Sequence, residues 1–231
     1  MGYNMDFYVI SYGLTLLALI ITLGAQFYIN SSYKKFKKIT INKNINGKEA
    51  ARRVLDKNGL SKVEVLEVPG NLTDHYDPTR KTVSLSTDIY EGNSIASIAV
   101  ACHECGHAIQ DKDGYLMLRI RHALIPLVNI SSYAGYIAIM IGIFFSLIKL
   151  VWLGIIFEIV ILLFQLVTLP VEFNASRRAL KQIKELGLLG SDELKGARTM
   201  LVAAALTYVA SVAATVIEIL RLILIFGRRD D

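Results

Sequence analysis

The chain has 231 residues, a formal net charge of +5, 53% hydrophobic residues and a mean hydropathy of +0.45. That hydropathy is high for a soluble domain of this length and argues against one. Nor does the positive charge point to nucleic acid, because the basic residues track the edges of apolar runs and have no interleaved aromatic platform.

Four runs carry the apolar excess: 7–28, 123–147, 150–169 and 200–226. A bilayer crossing needs about 20 apolar residues, so each can span. The first has no basic segment before it and no clear A-x-A site after it, which favours a retained anchor over a cleaved signal peptide. Asp6 stands where an N-myristoylation signal would place Ser or Thr. Lys34, Lys35, Lys37 and Lys38 follow this run directly and read as a solvated flank attracted to anionic lipid.

Residues 31–122 then have ordinary globular composition. The spacing predicts an amphipathic helix over 47–58, with Ala51, Val54 and Leu55 inward and Gly59 closing it. Strands are predicted over 63–68 and at Thr82, Val83, Ser84, Leu85 and Ser86. Between them, Asp74-His75-Tyr76-Asp77-Pro78 admits two readings. His75 or Tyr76 can donate a hydrogen bond to a tetrahedral oxyanion, or the segment is a turn whose polar side chains bond their own backbone.

The most informative residues come next. Ala99–Gln110 reads A-V-A-C-H-E-C-G-H-A-I-Q and contains H-E-x-x-H at His103, Glu104 and His107. With four histidines in the chain, this pattern arises by chance in roughly a few such sequences per thousand. On a helix, positions i and i+4 share a face, so the two imidazoles can bind one metal ion. Glu104 lies on the flank nearest His107, where it can take a proton from a metal-activated water without filling a coordination position. Asn93 or Ser94 can cap this helix and Gly114 can end it. Cys102 and Cys105 interleave with the motif, but at about 100° per residue Cys105 sits nearly opposite the histidine face. The pair reads as buried thiols packing as small apolar groups, says little about disulfides, and is compatible with a reducing compartment.

A catalytic zinc normally takes a third protein ligand. His75 and His122 are candidates, as is a carboxylate on the same side of the membrane. Glu172 follows two further apolar runs, within T-L-P-V-E-F-N-A-S-R-R, on a helix that Pro170 bends or restarts. A carboxylate so near an apolar boundary needs a partner, either a metal or one of Arg177 and Arg178. Glu158, Gln165 and Glu172 recur every seven residues and form one stripe. Fourteen residues of helix put Glu158 roughly 20 Å from Glu172, too far to share a metal. In the last run, Glu218 and Arg221 stand three apart and pair.

The basic flanks set the orientation. Met1–Asp6 has no Lys or Arg, whereas lysines follow the first run, Arg119 and Arg121 precede the second, and Arg177, Arg178, Lys181 and Lys184 follow the third. The positive-inside tendency puts the N-terminus outside and residues 31–122 in the cytoplasm.

C-H-E-C-G-H-A-I-Q, D-H-Y-D-P at Asp74–Pro78, and T-L-P-V-E-F-N-A-S-R-R-A at Thr168–Ala179 resemble the YugP-like bacterial membrane zinc metallopeptidases. These are similar in turn to gluzincins such as the HtpX-like and CaaX-prenyl proteases. The resemblance implies one Zn²⁺ per chain held by His103, His107 and Glu172, with Ser176 where those relatives carry an Asp. By the same analogy Thr82–Ser86 is a candidate edge strand for substrate, the alternative being an internal strand.

The expectation is therefore a mainly α protein. Four transmembrane helices (7–28, 123–169 for two, 200–226) form a bundle, and a small α+β gluzincin-like zinc domain (31–122) is inserted between spans one and two. Residues 170–199 are a cytoplasmic segment bearing the third ligand. The expected function is zinc-dependent peptide hydrolysis in the cell membrane, on a peptide or membrane-protein substrate, with Glu104 as general base. A zinc-stabilised adaptor without proteolytic activity is the alternative, as is hydrolysis of another bond type. The sequence leaves the oligomeric state open.

Overall fold

A computed structural model describes the backbone of residues 5–227 and the side chains of residues 9–227. Helices dominate. In chain order they are α1 (Met5–Lys37), α2 (Gly47–Lys57), α3 (Thr87–Tyr90), α4 (Ile95–Lys112), α5 (Leu116–Phe144), α6 (Ile148–Glu185) and α7 (Ser191–Phe226). Three strands lie between α2 and α3: β1 (Glu64–Val68), β2 (His75–Asp77) and β3 (Thr82–Ser86). Among the described residues, four helices (α1, α5, α6 and α7) are long and apolar enough to cross a membrane.

The chain divides into two compact units. One contains residues 5–26, Ile120–Leu169 and 207–227. Its apolar centre comprises Val151, Ile155, Ile219, Leu222 and Phe226. Close approach of α5 and α6 depends on small residues here. A Cβ on Gly135 would lie 2.9 Å from the Phe157 Cβ, and one on Gly154 would lie 3.1 Å from the Gly135 carbonyl oxygen. Glu218 and Arg221 form an ion pair along α7, with Arg221 Nε donating to Glu218 Oε2 at 2.8 Å.

The other unit contains Phe27–Arg119 and Pro170–Leu206. The segment after the third apolar run thus folds with the motif region rather than as a separate piece. Asn46 caps α2 by accepting from the Glu49 N–H, and Gly59 beyond its C-cap holds φ +69°, a left-handed conformation that a side chain would strain. α2 buries Ala50, Ala51, Val54 and Leu55 against α4. α4 starts at Ser94, whose side chain accepts from the Ser97 N–H. Ile98, Ala99, Ala101, Cys102, Cys105 and Ile109 enter one core with Val83, Leu85, Ile89, Ala179 and Ile183.

The sheet order is β1-β3-β2, with β1 parallel and β2 antiparallel to β3. This differs from the sequence expectation in two respects. His75–Asp77 is a strand, paired His75↔Ser84, Tyr76↔Val83 and Asp77↔Thr82, where a turn was the alternative reading. Its single polar-aromatic-polar triplet was too short to show a period. Thr82, Val83, Ser84, Leu85 and Ser86 are central, not an edge, and every one is buried. β1 lies along the whole of β3, β2 lies beside Thr82–Ser84, and Asp74 takes the Ser86 N–H, so β3 offers no open edge to an added peptide.

Of the two readings for Pro170, a bend or a restart of the helix, α6 excludes the restart. It is one 38-residue helix with Pro170 inside it. Proline lacks the N–H that the carbonyl four residues earlier would accept, yet it leaves the rest of the helix free to continue.

Candidate metal centre

Two helices build the site. α4 presents His103 and His107 one turn apart, with ring centroids 4.8 Å apart and planes at 86°. α6 passes close beside it because residue 106 is glycine: a Cβ there would lie 2.6 Å from the Ala175 carbonyl oxygen. Glu172, one turn before Ala175, thereby reaches the histidines across 69 residues of sequence. Glu172 Oε2 lies 3.2 Å from His103 Nε2 and 3.6 Å from His107 Nε2. One ligand atom from each of the three residues lies within 4.8 Å of the other two.

The donor set fits zinc. Two imidazole nitrogens and a carboxylate oxygen leave a fourth position open, the pattern of catalytic sites. Bonds of 2.0–2.2 Å in a tetrahedron put neighbouring donors about 3.4 Å apart, a spacing the two nitrogen–oxygen distances of 3.2 and 3.6 Å bracket. The site is also deep: Glu172 is 3% exposed and His107 8%. Burial raises the Glu172 carboxyl, but the facing His103 and His107 rings outweigh it and hold the group well below the usual carboxylate range.

Glu104 occupies the flank of α4 beside this group and is buried. Burial pushes its carboxyl up to about 7; charge on His103 opposes the rise, while Glu172 and Asp74 reinforce it. Cys102 and Cys105 are free, fully buried thiols, and burial pushes both up.

The chain matches the model of the family described as "Putative neutral zinc metallopeptidase" over residues 11–227. The chain belongs to this family. It is 45% identical over 219 residues to a protein of Bacillus subtilis (strain 168) named "Putative membrane protease YugP", covering 94% of this chain and 97% of that one. No solved structure matches. Family membership implies zinc, and the family's matched region contains all three clustered residues.

Other residues singled out in the sequence lie outside the three-residue group. His75 and His122, weighed as third ligands, do not join the group. His75 is exposed on β2 and its Nδ1–H donates to the Thr73 carbonyl at 2.8 Å. The Tyr76 hydroxyl donates to Asp111 Oδ2 at 2.6 Å. His75 Nδ1 and the Tyr76 hydroxyl thus have partners outside the three-residue cluster, while the charge of His75 bears on Glu104. Arg178, an alternative partner for Glu172, instead pairs with Asp113 at 2.6 Å. Ser176 Oγ lies 3.2 Å from His103 Nδ1, so the hydroxyl supplies that ring's second contact.

Three contributors went unnoticed in the sequence: Gly106, Gln110 and Asn174. Gly106 carried one signal, a residue without a side chain on a helix that must admit a neighbour. Gln110 is fully buried and touches His107 Nδ1 at 3.0 Å. A polar residue one turn beyond a ligand histidine was the only hint of its role.

Proposed function

We propose that the protein is an integral membrane zinc metallopeptidase in which His103, His107 and Glu172 hold the ion and Glu104 is the general base. The observation that carries this reading is the convergence of the Glu172 oxygen on two imidazole nitrogens at zinc-like spacing, with a buried carboxyl one residue along α4. When bound, zinc supplies Lewis acidity, polarising a carbonyl and bringing the pKa of water down to about 7.

The protein's own groups do the rest. His103 and His107 offer neutral nitrogens along one face of α4, and Glu172 contributes one negative charge, so the site retains net positive charge for an anionic transition state. Glu104 accepts a proton from the attacking water and delivers it to the departing amine nitrogen. Apolar packing around α4 holds these groups fixed. The substrate in this reading is a peptide or a membrane protein, and the basic flanks support a site on the cytoplasmic side of the cell membrane.

Purified protein tests this directly. Zinc content and peptide cleavage are measured for wild type and Glu104→Gln. The expected result is retained zinc with cleavage reduced by at least about 100-fold, the scale of a lost acid–base group. Zinc without cleavage in the wild type would favour the adaptor, and full cleavage in the variant would remove Glu104 from the mechanism.

A further inference from the structure

Behind the cluster runs a hydrogen-bond chain whose polarity can be read from one end. Arg178 can only donate. Its Nε donates to Asn174 Oδ1 at 2.7 Å, and its NH1 donates to Asp113 Oδ2 at 2.6 Å. Asn174 therefore turns its oxygen inward, where Gln110 Nε2 lies 3.0 Å away. The same Nε2 lies 2.8 Å from the Val171 carbonyl oxygen, which can only accept. Two independent acceptors thus require the NH₂ end of the Gln110 amide on this side. Its Oε1 is left facing His107 Nδ1 at 3.0 Å. An amide oxygen cannot donate, so Nδ1 carries the hydrogen and the lone pair of the neutral ring is on Nε2. Nε2 is the atom turned toward Glu172.

We propose that Gln110 is a positioning residue that fixes the tautomer and direction of His107 for zinc and ties that ring to the helix carrying Glu172. The inference rests on reading the cluster as a zinc site. Its α6 partners, Val171 and Asn174, flank Glu172 in sequence, so one amide holds a ligand of α4 and the backbone around the ligand of α6 in register. The contact to His103 is of another kind. A hydroxyl both donates and accepts, so Ser176 orients that ring without dictating its tautomer.

Full-length protein in detergent provides the test, with zinc affinity read by chelator competition and the ligand field by the visible spectrum of the Co²⁺ form. Gln110→Met keeps the volume and removes the acceptor. It is expected to weaken zinc binding roughly 10- to 100-fold, as loss of a histidine's outer contact does, and to shift the Co²⁺ band. Gln110→Asn, one methylene shorter, is expected to act in the same direction and decides the matter should the methionine variant not fold. An amide that served only packing would lower the melting temperature yet leave affinity and spectrum unmoved. Wild-type affinity and an unshifted band in the folded Gln110 variants would overturn the proposal, whereas a wild type that binds no zinc would overturn the zinc reading itself.

Discussion

At the scale of single residues, the site depends on what is missing as much as on what is present. Gly106 has no side chain, and a Cβ there would press on the Ala175 carbonyl oxygen at 2.6 Å. That contact is to backbone, which cannot rotate aside, so Gly106→Ala must move α6 and Glu172 with it. The expected effect is a stability loss of about 1–3 kcal/mol, the usual range for overpacking, together with weaker zinc binding. Thermal melting with and without zinc checks it: an unchanged melting point in both states would mean that the helices yield freely there. The H-E-x-x-H pattern was legible because its spacing encodes a shared helical face. Gly106 was not, because a glycine inside a helix gives no sign of which neighbour it admits.

Asp74 supplies a second residue-scale test. Its carboxyl accepts from the Ser86 N–H at 2.8 Å and from the Ser86 hydroxyl. Burial nevertheless raises it, with the Ser86 hydrogen bonds opposing. The folded protein therefore holds this proton to higher pH than the unfolded chain does. Between the two pKa values the native state binds more protons, so this contribution to stability falls as pH rises from about 4 and levels off once the folded group has ionised. Asp74→Asn cannot ionise and should lose that slope. Melting temperatures of wild type and variant between about pH 4 and 7 should diverge as pH rises; parallel curves would contradict the assignment.

At the scale of elements, helices read well and the sheet did not. α2, with its Asn46 cap and Gly59 stop, lies where the amphipathic spacing puts it, and so does α4 after Ser94. Each is governed by contacts within a few residues. β1 and β3 were recognisable from their β-branched runs, but their order was not. β3 pairs in parallel with β1 and antiparallel with β2, and a strand sequence buried on both sides carries no mark of which neighbours it has. The free edges belong to β1 and to β2, which carries His75 and Tyr76. The seven-residue stripe of Glu158, Gln165 and Glu172 likewise showed a common helical face. Only the folded chain sets Glu172 against the histidines of α4, while Glu158 belongs to the other compact unit.

At the scale of the molecule, the four long apolar helices and the membrane-protease relative support a multi-pass membrane protein, while its sidedness is a proposal from charge alone. The expected arrangement places the β1 face in the cytoplasm. Glu67→Cys puts an exposed thiol there, and the two native cysteines are fully buried and should stay silent. A membrane-impermeant thiol reagent should label this variant in inverted vesicles and not in intact cells. Labelling of intact cells would reverse the topology and with it the proposed cellular side of the site.

Sequence alone determined the four long apolar helices, from the length and composition of their runs, and the paired imidazoles with the neighbouring carboxyl, from spacings of a few residues that a helix repeats. The tertiary structure decided that the Glu172 oxygen meets those imidazoles, that a buried amide stands behind one of them, and that β3 is enclosed. Those outcomes depend on close packing between segments far apart in the chain, where a missing methyl or the turn of one amide chooses among arrangements that local periodicity leaves equivalent.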